Sequence, residues 1–185
     1  MKYFPIAAAA LLPVLAFAQP VDMLGTTNHV RLGDEGYYLA HSSKDDGRAI
    51  RQEYVPPGQL LEHAGSRLLI AYLPGISPSE AAREEIARHE ADTELMLMQA
   101  PALTEDESGI EIWLELTLIG DGDPGPIIEW HARRHVMVGE DTLIFDLMFR
   151  NEDPAEDPSF QQYLAANRPE LIRAMRELAI PDEAR

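Results

Sequence analysis

The chain has 185 residues, no cysteine, and 15 Lys and Arg against 32 Asp and Glu, a formal net charge of −17. Without thiols, cysteine nucleophiles, thiolate metal centres and disulfide staples are excluded. The acidic balance repels a phosphate backbone, so nucleic acid is not an expected partner.

Residues 1–18 read as a secretory signal peptide: Lys2 precedes the apolar run Pro5–Phe17, and Ala16-Phe17-Ala18 presents a small-x-small cleavage pattern before Gln19. An apolar core of about 13 residues is short for a bilayer span, and Pro13 would kink it. Periplasmic or secreted localisation is therefore expected, with no stable membrane anchor after cleavage. The remaining 167 residues carry 14 Lys and Arg against 32 Asp and Glu, a balance of −18 and enough chain for one domain. The expected organisation is a signal peptide over 1–18, an extended leader over 19–35 and a single α+β domain over 36–185. Lys44 is the sole lysine after the cleavage site, and no phosphate-binding glycine pattern accompanies it.

Gly36–His41 and Arg48–Val55 read as a β-hairpin around the turn-forming Asp45-Asp46-Gly47. Pro56-Pro57-Gly58 ends the second strand, a short helical turn is expected over Gln59–His63, and Arg67–Leu73 reads as a buried strand stopped by Pro74-Gly75. Ser77-Pro78-Ser79-Glu80 is a helix start: the Ser77 hydroxyl can accept an amide of the first turn, and Pro78 loses no needed donor. Ala82, Ile86, His89 or Glu90, Thr93 and Leu97 predict a helix to about Met98 with a thin apolar stripe.

Ile110–Ile119 alternates as a long strand. After the Gly120–Pro126 connection, Ile127–Val138 and Leu143–Arg150 form a second hairpin about Gly139 and Glu140. A two-residue type II′ turn would oppose Glu129 to Arg150, Arg133 to Asp146 and Trp130 to Phe149, matching charge with charge and ring with ring. A four-residue loop would instead oppose His135 to Asp146. Phe160–Ala166 and Arg168–Ala179 have helical patterns, with Asn167 placed to cap the second. The expected fold class is α+β: an antiparallel sheet of about six strands covered by a central helix and a C-terminal helical pair.

His131 and His135 have the i, i+4 spacing of a helical metal site, but on a strand they stand roughly 13 Å apart, and no HExxH pattern supplies a base. No metal, cofactor or catalytic residue is assigned. His131, Arg133 and His135 should face solvent on one side of the strand, opposite Asp146 and Arg150, as a candidate strip for an anion or an acidic partner segment. Replacing Arg133 and His135 with Ser is expected to weaken binding without unfolding the domain. Gly120-Asp121-Gly122-Asp123 begins like a calcium loop, but Gly125 and Ala132 fall where an EF-hand needs oxygen ligands. Ala64-Gly65-Ser66-Arg67 is no nucleophile elbow.

Gln52–Gly58, Glu129-Trp130, Gly139–Phe145 and Arg150 together resemble small exported proteobacterial proteins of unassigned function, similar in element order to the Mog1/PsbP-like α/β sandwich over residues 36–179. That resemblance implies an accessory, adaptor or chaperone-like role and supplies no catalytic residues. The functional expectation is a non-catalytic exported binding protein for an unknown protein or small ligand. The alternatives are a periplasmic hydrolase or metal-dependent enzyme, and an immunity-type inhibitor of a basic toxin.

Overall fold

A computed structural model describes residues 20–106, 108–121, 125–153 and 157–181. Residues 1–18, expected from the sequence to be a signal peptide, and residues 122–124 of the Gly120–Pro126 connection lie outside these residues. The elements are β1 (His29–Leu32), β2 (Glu35–Lys44), β3 (Ile50–Val55), a 3-10 turn (Leu61–His63), β4 (Ser66–Leu73), α1 (Pro78–Ala91), β5 (Leu95–Leu97), β6 (Ala102–Glu105), β7 (Glu111–Gly120), β8 (Ile127–Val138), β9 (Asp141–Asn151) and α2 (Asp157–Glu177). Among the described residues no helix is long and apolar enough to cross a membrane.

Among the described residues nine strands join one antiparallel sheet in the order β1-β2-β3-β4-β9-β8-β7-β5, with β6 also on the outer edge of β7. The α+β class therefore holds, with nine strands rather than six. The additions are short edge segments whose hydrophobic patterns are weak. His29–Leu32 pairs with β2, and Leu24 is buried in the core, so the end of the expected leader joins the sheet and its middle packs against the core.

The Ser77 hydroxyl accepts the Glu80 amide at the start of α1, and Pro78 occupies the first turn. The helix stops at Ala91, short of Met98. Asp92 Oδ1 accepts the amides of Glu94 and Leu95, and that turn delivers Leu95 and Leu97 to β7. At the C-terminus the expected pair of helices is one continuous helix, with Pro169 inside it. Asn167 does not act as a cap; its amide donates to the Tyr163 carbonyl one turn back. Phe160, Leu164, Leu171, Ile172 and Met175 all reach the same core, so docking on the sheet holds both segments together despite the proline.

Alternation gives the sheet two different faces. Tyr54, Leu68, Ile70, Trp113, Trp130, Ala132, Phe145, Leu147 and Phe149 pack with Leu164 and Met175 of α2. Arg134 fastens this layer: it pairs with Glu111 at 2.9 Å, lies over the Phe145 ring, and donates to the Met175 and Leu178 carbonyls near the end of α2. On the other face, Ile112, Leu114, Leu116 and Leu118 pack with Ala82 and Ile86 of α1. The chain leaves β4, crosses this face as α1, and lands on the far edge as β5. That path lays α1 chiefly over β7, β8 and β9, with at most slight contact to β3 and β4.

The N-terminal segment is held to β3 by Gln52, which is fully buried. Its carbonyl oxygen accepts the Leu24 amide at 2.9 Å, and its amide donates to Thr26 Oγ1 at 2.9 Å and Asp22 Oδ1 at 3.1 Å. Gln52→Leu strands these partners, so urea denaturation should show a loss of about 2 kcal/mol or more, with faster exchange of the Leu24 amide. A loss below about 0.5 kcal/mol would contradict the clamp, because surface substitutions lie in that range.

Candidate functional site

Gly139 has φ +67°, and Val138 pairs with Asp141, as a two-residue turn beginning on glycine requires. The β8–β9 register follows: Glu129 opposes Arg150, Arg133 opposes Asp146, and Trp130 opposes Phe149. The longer-loop pairing of His135 with Asp146 is absent; His135 opposes Ile144.

The strip predicted to face solvent is instead buried. His131, Arg133, His135 and Asp146 lie on the α1 side of the sheet at 3, 8, 1 and 4 % exposure. The crossover of α1 causes this, bringing Glu85 and His89 down onto them. Arg150 lies apart, half-buried near the end of β9, 3.6 Å from Glu129 and 2.9 Å from Glu152.

Asp146 is the centre of the cluster. Its Oδ1 meets His131 Nδ1 at 3.0 Å, and its Oδ2 lies 3.0 Å from Arg133 Nε, an electrostatic contact without hydrogen-bond alignment. Arg133 also pairs with Glu85, which holds Arg88 and accepts from His89 Nε2 at 2.9 Å. Burial pushes the Asp146 and Glu85 carboxyls upward, but the Arg133 guanidinium outweighs it and both end below the usual carboxylate range. Glu129 is likewise lowered: burial raises it, while the hydrogen bond and charge of His131 and the charge of Arg150 prevail.

The two histidines of the strip are in opposite states. His131 presents Nδ1 to Asp146 and Nε2 to Glu129 at 3.2 Å, and only an imidazolium donates from both nitrogens. Burial alone would favour its neutral form, yet the charge of Asp146 and these hydrogen bonds raise its pKa above the ordinary histidine value. His135 is depressed to about 4 by burial and by the Arg133 charge. The Ile112 backbone approaches its ring, but neither ring nitrogen has a hydrogen-bond partner.

Beside α1 these groups line a cavity of about 330 Å³. Leu69, Ala71 and Ile144 contribute apolar floor, the outer helix wall carries Arg88 and Glu84, and Arg51 and Arg67 stand on β3 and β4, away from the main helix contacts. The expectation missed the helix contribution from Glu85 and His89. Its signal was present, because Ala82, Glu85, Ile86 and His89 follow helical spacing and the inward stripe carries an acid–imidazole pair. Among the described residues no group of three or more His, Cys, Asp or Glu is arranged to hold a metal ion.

Burial overturns the expectation that Arg133→Ser with His135→Ser leaves folding intact. Removing the guanidinium leaves Glu85 and Asp146 without their shared cation, a loss of about 3–5 kcal/mol. The histidines also set a pH profile. Between an unfolded value near 6.5 and its higher native value, His131 holds a proton that the unfolded chain has released, so stability falls as pH rises. Between about 4 and 6.5, His135 is neutral in the native state and charged in the unfolded chain, so stability rises with pH. Urea denaturation from pH 5 to 8.5 should give a maximum near pH 6.5, with limbs of up to about 1.4 kcal/mol per pH unit; His135→Leu should flatten the acid limb. Stability climbing steadily through pH 8.5 would contradict the assignment of His131.

Against known proteins, the chain matches no family model and no curated protein.

Proposed function

We propose that the protein is a non-catalytic binding or accessory protein of an exported compartment, and that the cavity beside α1 is its binding surface. The carrying observation is the division of labour within the cavity. Its buried carboxylates, Glu85, Glu129 and Asp146, are each engaged by an arginine or an imidazolium. Carboxylates held as ion-pair partners, with pKa values below the usual range, are poorly placed as general bases. Among the described residues the cavity lining contains no Ser, Thr, Tyr, Lys or Cys as a nucleophile.

The arginines at the rim have different standing. Arg67 is 29 % exposed and pairs with Glu53 at 3.1 Å, while Arg51 is exposed and makes no ion pair among the described residues. A concave surface with an apolar floor, fixed internal charges and, at its rim, the Arg51 guanidinium unpaired among the described residues is suited to recognition. The resemblance to the Mog1/PsbP-like architecture and the signal-peptide pattern of residues 1–18 point the same way.

Native mass spectrometry of the protein recovered gently from periplasmic extract should find a ligand or partner at unit stoichiometry. Arg51→Glu combined with Arg67→Glu should lose it while remaining folded. Wild-type protein recovered bare, or ester or phosphoester turnover abolished by Asp146→Asn, would overturn the reading in favour of another surface or of an enzyme.

A further inference from the structure

We propose that this cavity, taken as the binding surface on the reading above, receives a singly charged organic acid whose apolar body ends in a hydrogen-bonding group. One row of the sheet supplies the parts. Arg51 opposes Ala71, Ala71 opposes Ile144, and Ile144 opposes His135, so four cavity-lining residues stand in line across β3, β4, β9 and β8. Three interstrand spacings place the end Cα atoms about 14 Å apart.

At the uncovered end, Arg51 offers a guanidinium without an ion pair among the described residues, and its planar fork suits a carboxylate. Ala71 and Ile144 form an apolar middle, with the small alanine leaving depth. At the covered end, His135 is 1 % exposed, and neither ring nitrogen has an aligned hydrogen-bond partner although the Ile112 backbone comes close. A buried imidazole with neither nitrogen engaged is a costly feature. A ligand hydroxyl or carbonyl reaching beneath α1 would satisfy it, and burial together with the adjacent Arg133 charge keeps the ring neutral and able both to donate and to accept.

The surrounding charge restricts the ligand further. Asp146, Glu85 and Glu129 lie in the same cavity, and the chain as a whole carries −17. One negative charge can be held at the exposed arginine, whereas a second, deeper one would face these carboxylates.

Titration calorimetry on the full chain with 3-(4-hydroxyphenyl)propanoate tests this class. Saturable one-to-one binding is expected, weakened about tenfold or more for 3-phenylpropanoate, which lacks the hydroxyl, and lost for tyramine, which exchanges the acid for an amine. Arg51→Ala and His135→Leu should each weaken binding about tenfold or more, and His135→Gln should restore part of the second loss. His135→Leu should also raise Tm, because it removes unpartnered buried polar atoms; a lost ligand response in that variant therefore cannot reflect unfolding. Absence of saturation by the phenolic acid, or binding unchanged in both variants, would overturn the proposal. If the phenolic acid fails while an occupant dependent on Arg51 and Arg67 is still recovered from extract, the ligand class falls and the binding-surface reading stands.

Discussion

A carboxylate buried at the middle of a sheet is the constraint around which this protein is organised. Asp146 is 4 % exposed, and its charge is tolerable there because His131 and Arg133 reach it from the neighbouring strand. Neither cation would be stable alone in that position: Arg133 needs Glu85 from the helix, and His131 needs Glu129 along its own strand. The network is closed by parts from α1, β8 and β9, so it ties the helix to the sheet in one register. Buried ion pairs often contribute little net stability relative to apolar packing, but they punish a misplaced partner severely. Here the consequence is specificity of docking: sliding α1 by one turn would separate Glu85 from Arg133.

Topology explains why the charges are covered and the rim is not. The connection from β4 to β5 must traverse the sheet, and β9 returns to fill the place beside β4. The helix in that connection therefore lies chiefly over β7, β8 and β9, leaving the same face of β3 and β4 with at most slight contact to it. The boundary between the two regions is the cavity. Its floor passes from the buried His135 through the apolar Ile144 and Ala71 to the exposed Arg51 within one row, so a covered imidazole and an exposed guanidinium bracket an apolar middle. The opposite face has a different task. It buries Trp113, Trp130, Phe145 and Phe149 against α2 and forms the larger apolar core.

Local chemistry was legible wherever it determines structure locally. Ser77 and Pro78 announce the start of α1, and Gly139 announces a turn that fixes ten further residue pairings beyond its closing pair. The bounds of β8 follow from its alternation. Burial of the strip was not legible, because a run of His, Arg and His on one strand face reads as solvent-facing unless a distant element is known to cover it. The covering element carried its own sign in Glu85 and His89, but matching it to β8 requires the crossover path. Two other boundaries were decided by tertiary packing: Asp92 turns the chain toward the edge of β7, and the shared core carries α2 through Pro169.

The most direct measurement is an imidazole nitrogen NMR titration of the wild type and Asp146→Asn, with His131 and His135 assigned. The account predicts that wild-type His131 titrates above the ordinary histidine value while His135 is neutral down to about pH 4. Removing the Asp146 charge should shift the His131 titration downward. A wild-type His131 already neutral at pH 6, or one indifferent to Asp146→Asn, would contradict the charge network on which the site is built.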